Sequence, residues 1–123
     1  MATITPRSVP LRPGVIETTW PNMANGDVGG ALDASYLPVK TVTVRGTFGA
    51  AGSVSLKGTD NADATAVTGW DKLHDIRGGT NVLDFTARGT QKVLENPARI
   101  APHVTAGDGT TSLTVVVLST VGV

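Results

Sequence analysis

The stretch ENPARIAPHVTAGDGTTSLTVVVLS, from Glu95 to Ser119, decides the fold class. Two strand-like runs flank the sequence Gly107-Asp108-Gly109-Thr110. Glycine and aspartate tolerate the positive φ angles that tight turns between twisted strands require. The sequence therefore predicts a β-hairpin at this point.

The second run of that stretch, Ser112–Thr120, is apolar on both of its faces. One face carries Leu113, Val115 and Val117, and the other carries Val116 and Leu118. A strand of this kind is central in a sandwich or is buried against another subunit. Because one sandwich core covers only one face, we expect a loop, the N-terminal segment or another copy of the chain to cover the second face. The pattern predicts a homo-oligomer.

Short alternating runs fill the rest of the chain, with glycine-containing turns about every 8–12 residues, as is typical of sandwiches and barrels. The predicted fold class is all-β: a single β-sandwich or jelly-roll-like body over residues 15–123 with little or no helix. It has about eight short strands: Val15–Trp20, Lys40–Phe48, Ser53–Thr59, Trp70–His74, Val82–Ala87, Gln91–Glu95, Arg99–Thr105 and Ser112–Thr120.

Alternation along these runs also predicts which side chains form the core. On Ser53–Thr59, for example, Ser55 and Lys57 are expected to point outward. The predicted core residues are Val54, Leu56, Trp70, Phe85, Ile100, Val104 and Val115.

Residues 1–14 have neither a helical nor an alternating pattern and contain Pro6, Pro10 and Pro13. Proline fixes φ and lacks a backbone donor, so this segment is predicted to be an extended arm, with a disordered tail as the alternative. We expect the arm to lie on a neighbouring subunit or another partner. The predicted partner-binding residues are Ile4, Arg7, Val9, Leu11 and Arg12, together with Trp20, which the pattern does not place.

The composition excludes several classes of function. The ten basic and ten acidic residues cancel and the cations are scattered singly, so the sequence predicts no nucleic-acid or membrane partner. The longest apolar run, around Val115–Leu118, is too short to span a bilayer. The chain has no cysteine, which excludes disulfides and thiolate metal sites.

No group of residues in the sequence predicts catalysis, a metal or another cofactor. The two histidines, His74 and His103, fall on different predicted strands without a second ligand at metal spacing. Adjacent residues of a strand point to opposite faces, so His74 and Asp75 do not form a base with its orienting carboxylate. A cleft that brought both histidines together with a carboxylate would instead favour an enzyme.

Several turns and strands resemble those of the small phage capsid decoration, or cement, proteins. They include Gly26-Asp27-Val28-Gly29, Gly46-Thr47-Phe48-Gly49, Trp70 and Val104-Thr105-Ala106-Gly107-Asp108-Gly109. The resemblance covers residues 20–119. The chain departs from that family's pattern at Gly58-Thr59-Asp60-Asn61 and at Ala101-Pro102.

This resemblance implies a non-enzymatic virion protein that binds the outer surface of the major capsid protein shell. It further implies assembly in the host cytoplasm and self-association, as a trimer rather than a dimer. A phage tail protein and a ligand- or carbohydrate-binding sandwich remain alternatives, and an exposed aromatic platform would favour the latter.

Overall fold

The computed structural model describes residues 1–33 and 35–121. These residues form eleven β-strands and a single 3₁₀ turn at Val67–Gly69, so the all-β prediction is confirmed. The strands are β1 (Thr3–Ile4), β2 (Arg7–Arg12), β3 (Val15–Met23), β4 (Val28–Gly29), β5 (Val39–Thr47), β6 (Ser53–Thr59), β7 (Asp71–Lys72), β8 (Asp84–Phe85), β9 (Gly89–Val93), β10 (Arg99–Ala106) and β11 (Ser112–Thr120). The eight predicted strands correspond to β3 and β5–β11.

Two sheets form the sandwich. The first, here called sheet A, has the order β1-β4-β10-β6-β7, and β8 pairs with the remaining part of the same edge of β6. The second, sheet B, has the order β2-β3-β11-β5-β9. All pairings are antiparallel except that of β1 with β4.

The main core lies between the sheets and is built from alternate residues of the long strands. Leu113, Val115 and Val117 of β11 are all fully buried. They pack with residues such as Val42 and Leu56 of the neighbouring strands. All seven residues predicted for the core are buried, which confirms that part of the sequence analysis.

The prediction of a β-hairpin at residues 107–110 is wrong. The turn joins β10 of sheet A to β11 of sheet B, so its two strands do not pair. Neither Gly107 nor Gly109 has positive φ. Instead, Asp108 accepts hydrogen bonds from the Thr110 N–H (2.8 Å) and from the Ala50 N–H (2.8 Å). Since Ala50 lies in the turn from β5 to β6, one carboxylate joins two adjacent crossings between the sheets.

Residues 1–14 do not form a separate arm. Strand β1 pairs with β4 in sheet A, and β2 pairs with β3 in sheet B, so the segment adds an edge strand to each sheet of its own body. The extended backbone that the prolines favour is present, but its donors and acceptors are paired within the chain. The Gly30 N–H, for example, donates to the Ile4 carbonyl at 2.8 Å.

Ser55 and Lys57 are buried, although they were predicted to face solvent. They do point away from the main core, but residues 60–70 lie over this outer face of sheet A. Trp70 packs there with Val28, Val67 and Ala101 in a second, smaller cluster. The Lys57 ammonium donates to the Thr68 carbonyl of the covering loop at 3.1 Å.

Candidate docking surface

The outer face of sheet B is a regular five-stranded surface that the described chain leaves accessible. Strand register places its side chains in rows across all five strands. One row consists of Arg7, Thr19, Val116, Thr43 and Thr90. The row on one side of it consists of Val9, Glu17, Leu118, Thr41 and Lys92. On its other side lie Thr114 and Arg45. We call these residues the cationic sheet face.

Val116 and Leu118 at the centre of this face are only half-buried, in contrast to the fully buried opposite side of β11. No part of residues 1–33 and 35–121 forms a third layer over this face of sheet B. The strands belong to the two sheets, and residues 60–70 lie over sheet A. Within the described chain no segment covers this second face of β11.

The charges of this face are not neutralised. Five of the ten lysine and arginine side chains make no hydrogen bond or ion pair within the described residues. All five lie on sheet B or in the turn that leads into β9: Arg7, Arg12, Arg45, Arg88 and Lys92. The other five each have a partner, as Arg99 has in Asp33 at 2.8 Å.

Unpaired carboxylates are found on the opposite side of the sandwich. Asp60 and Asp63 in the loop over sheet A, and Asp71 of β7, are exposed and accept no side-chain hydrogen bond from the described chain. The cationic sheet face carries a single acid, Glu17. Cations that are scattered singly along the sequence are therefore brought together on sheet B, whereas these unpaired acids lie around sheet A.

A groove continues the cationic sheet face at the end where β11 stops. It has a volume of about 670 Å³ and lies between Arg12 and Lys92. Val15, Val39 and Val121 are among the residues that line it. We call it the end groove.

The predicted partner-binding residues divide into two groups. Arg7, Leu11 and Arg12 are exposed and Val9 is half-buried, so their side chains remain available to a partner. Ile4 packs against the core of its own chain. The assignment of Trp20 is wrong, because its side chain is fully buried between the sheets and its Nε1–H donates to the Gly30 carbonyl at 2.9 Å.

A smaller apolar groove of about 380 Å³ lies beside the β2–β3 hairpin. Leu11 and Tyr36 on its walls are 50% and 67% exposed. Tyr36 is the one aromatic residue of the chain that is mostly exposed. A single ring does not make the flat aromatic platform expected of a carbohydrate-binding sandwich.

A cleft of about 790 Å³ contains His74 and Glu95. Glu95 accepts a hydrogen bond from the His74 N–H at 2.7 Å, and its second oxygen pairs with His74 Nδ1. Burial raises the pKa of Glu95, but these hydrogen bonds outweigh it and leave the pKa below its ordinary value. The pair ties β7 to the loop after β9, where the Leu94 N–H also donates to the His74 carbonyl at 2.9 Å.

His103 does not line this cleft. It pairs across β10 and β6 with Ser55 on the outer face of sheet A. Burial lowers its pKa, and the nearby charges of Lys57 and Lys72 lower it further. The two histidines and a carboxylate therefore do not meet, and no group of three or more histidine or acidic side chains among the described residues has metal-binding geometry.

Lys40 is buried at the end of the sandwich, with an exposed fraction of 1%. Its ammonium donates to the Leu37 carbonyl (2.8 Å) and to Asn96 Oδ1 (2.6 Å). Desolvation lowers its pKa from 10.5 to about 8. Alternation along β5 places Lys40 on the same inward face as Val42, and this signal in the sequence was not used.

We expect the burial of Lys40 to make the protein more stable as the pH rises from about 8 to 10.5. In that interval the unfolded chain keeps the lysine proton and the folded chain has lost it, so the free energy of unfolding increases with pH. The increase should be at most about 3 kcal/mol, which corresponds to the shift in pKa. Urea unfolding at pH 7.5, 9 and 10.5 measures it, and Lys40→Met should make the rise smaller. Part of the rise should remain, because burial also lowers the pKa of Lys57. An identical pH dependence in both proteins would contradict this account.

No protein-family description matches the chain, and no curated protein matches it either. Among solved structures, the SPBc2 prophage-derived protein YomS superposes with a TM-score of 0.51 at 9% identity. The match covers 90% of this chain and 100% of YomS. At this identity the likeness shows a shared β-sandwich fold and nothing more.

KdgF from Halomonas sp. superposes with a TM-score of 0.41 at 12% identity, over 94% of this chain and 76% of KdgF. That overlap is too loose to bear on function. The structure contains no helix that is long and apolar enough to cross a membrane, within the residues it describes.

Proposed function

We propose that this chain is a structural protein of a phage virion. It decorates the capsid by laying the cationic sheet face on the outer surface of the major capsid protein shell. The observation that carries the proposal is that four of the five cations without a partner within the described residues lie on strands of sheet B, and the fifth, Arg88, lies in the turn that leads into β9. The resemblance of the turns to decoration proteins supports it, and a prophage-derived neighbour of the same fold fits a phage origin.

The charge distribution affects the orientation in which the protein approaches the capsid as well as its affinity for it. A protein with one basic and one acidic side is turned by the field of an acidic surface before it makes contact, and this raises the rate of productive encounters. Val116 and Leu118 at the centre of the face then lose their contact with water. Threonines around them carry hydroxyl groups that can bond to the partner.

The proposal includes no catalytic step. The cleft of His74 and Glu95 contains no serine or cysteine nucleophile, and both oxygens of Glu95 are bonded to His74. That pair holds two segments of the sandwich together. None of the residues in the cationic sheet face is aromatic, which disfavours stacking on single-stranded nucleic acid.

Neutralising the cationic sheet face should weaken binding to undecorated capsids. We expect the double variant Arg45→Gln/Lys92→Gln to bind about tenfold more weakly at low salt, since each exposed charge pair contributes up to about 1 kcal/mol. The control is Lys72→Gln/Arg77→Gln, which removes the same charge outside this face. Because these two side chains are ion-paired with Asp84 and Asp75, thermal unfolding must first show that the control variant is folded. Co-sedimentation with capsids at increasing salt measures both variants, and equal loss in the two would contradict the assigned surface.

The number of copies in purified virions tests the function itself. Quantitative mass spectrometry should find hundreds of copies of the chain per particle. A handful would instead identify a tail or vertex component, and none would overturn a virion role. Self-association as a trimer and location on the capsid surface belong to the same proposal, and light scattering of the free protein tests the first.

A further inference from the structure

The end groove crosses sheet B from one edge to the other. Arg12 lies at the β2 edge and Lys92 on β9 at the other edge, with Val15 of β3 and Val39 of β5 between them. Four strand spacings separate β2 from β9, which gives a backbone distance of about 19 Å. The groove therefore has the length of an extended segment of about five or six residues.

The floor of the groove is apolar. Val15 is buried and Val39 is half-buried, whereas Val121 is 62% exposed at the wall. Gly14 leaves the space beside the Val121 side chain free, since a Cβ at residue 14 would lie 3.2 Å from a methyl carbon of Val121. The φ angle of Gly14 is +78°. An apolar side chain from a partner would replace water over these valines.

Both ends of the groove are positively charged, and no acidic side chain of residues 1–33 and 35–121 lines it. Neither the Arg12 nor the Lys92 side chain makes a hydrogen bond or ion pair within the described chain. Both side chains are long and line the groove. The distance between their charged groups can therefore be much shorter than the distance between β2 and β9. A carboxylate at each end of a short segment would meet a cation there.

We propose that the end groove binds an extended segment in which two carboxylates flank one or two aliphatic side chains. It does so while the rest of the cationic sheet face lies against the surface from which that segment projects. This inference rests on the proposed function, in that the segment is assigned to the major capsid protein. Charge complementarity and groove length select it over a purely apolar occupant, which would leave both cations unpaired.

The test uses short synthetic peptides and the isotopically labelled full chain. The acidic probe is an acetylated, amidated tetrapeptide of aspartate, valine, leucine and aspartate. The two comparison peptides have asparagine or lysine in place of aspartate. We expect only the acidic peptide to shift the backbone amide resonances of Val15, Val39, Lys92 and Val121, and we expect its affinity to fall as salt is added.

Variants decide whether the groove or diffuse charge is responsible. Arg12→Gln/Lys92→Gln should weaken binding of the acidic peptide at least tenfold. The control Arg45→Gln/Arg88→Gln, which removes two other unpaired cations of the same sheet, should change it less than twofold. Equal shifts with the acidic and asparagine peptides, or equal losses in the two variants, would overturn the inference.

Capsid binding separates this inference from the function on which it rests. If Arg12→Gln, which changes the groove and leaves the cationic sheet face intact, binds capsids as tightly as the unmodified chain, the assignment of the groove to capsid binding fails and the decoration role stands. If the acidic peptide binds the groove but the chain binds no capsid, the groove chemistry is supported and the assignment of its source to the capsid protein is overturned.

Discussion

Replacement of Trp20 by alanine should lower the free energy of unfolding by about 4 kcal/mol, within the range of about 3–5 kcal/mol for large aromatic residues in cores. Trp20 is the largest of the fully buried side chains and contacts the main cluster between the sheets. The substitution leaves a cavity and removes the indole N–H that donates to the Gly30 carbonyl. Denaturant unfolding at neutral pH measures the loss.

The surroundings of Trp20 indicate that the site will not collapse to fill the cavity. A Cβ placed on Gly29 would lie 2.6 Å from the indole ring, so the backbone of β4 is already packed against it. The matched control is Leu11→Ala, another residue predicted to bind a partner but 50% exposed. That change should alter stability by less than about 0.5 kcal/mol. Equal effects of the two substitutions would indicate that the Trp20 side chain is exposed at the surface.

The strands and their inward faces could be predicted because they depend on local information. Alternation along Val39–Thr47 or Ser112–Thr120 has a period of two wherever the strand pairs. Local patterns do not predict which strand pairs with which. The turn around Asp108 has ordinary turn chemistry, and nothing in residues 107–111 indicates that the chain is crossing from sheet A to sheet B.

The N-terminal segment was misassigned for a related reason. Its three prolines predict extended backbone equally well for an arm on a partner and for an edge strand of its own sheet, since an edge strand tolerates a missing donor. The pairing of β2 with β3 follows from the turn at Pro13 and Gly14, not from a side-chain pattern. A chain without residues 2–14 is therefore expected to lose stability, contrary to the behaviour of a detachable arm.

The candidate docking surface could be predicted only in part. The second apolar face of β11 was visible in the sequence, and so was its need for a cover. The grouping of Arg7, Arg45 and Lys92 was not visible, because these residues are far apart in the sequence and become neighbours through the order of strands in sheet B. Net charge contains no information about such a grouping.

Replacement of Trp70 by alanine should lower the free energy of unfolding by about 3 kcal/mol. The side chain is 8% exposed and packs with Val28, Val67 and Ala101 outside sheet A, away from the main core. Its loss should loosen the loop of residues 60–70, which covers Lys57. Denaturant unfolding gives the total effect, and hydrogen exchange at the amides of residues 64–70 should show the local one.

Phenylalanine at the two tryptophan positions should separate burial from hydrogen bonding. The Trp70 Nε1–H is buried and has no acceptor within the described residues, whereas that of Trp20 is bonded to Gly30. Trp70→Phe removes an unsatisfied donor, whose burial costs about 1–3 kcal/mol, while Trp20→Phe leaves a carbonyl without its donor. Trp20→Phe should therefore destabilise the protein more than Trp70→Phe does. The reverse order, measured in the same denaturant series, would mean that the Trp70 indole N–H has a partner in solution and that the loop over sheet A packs differently from the arrangement described here.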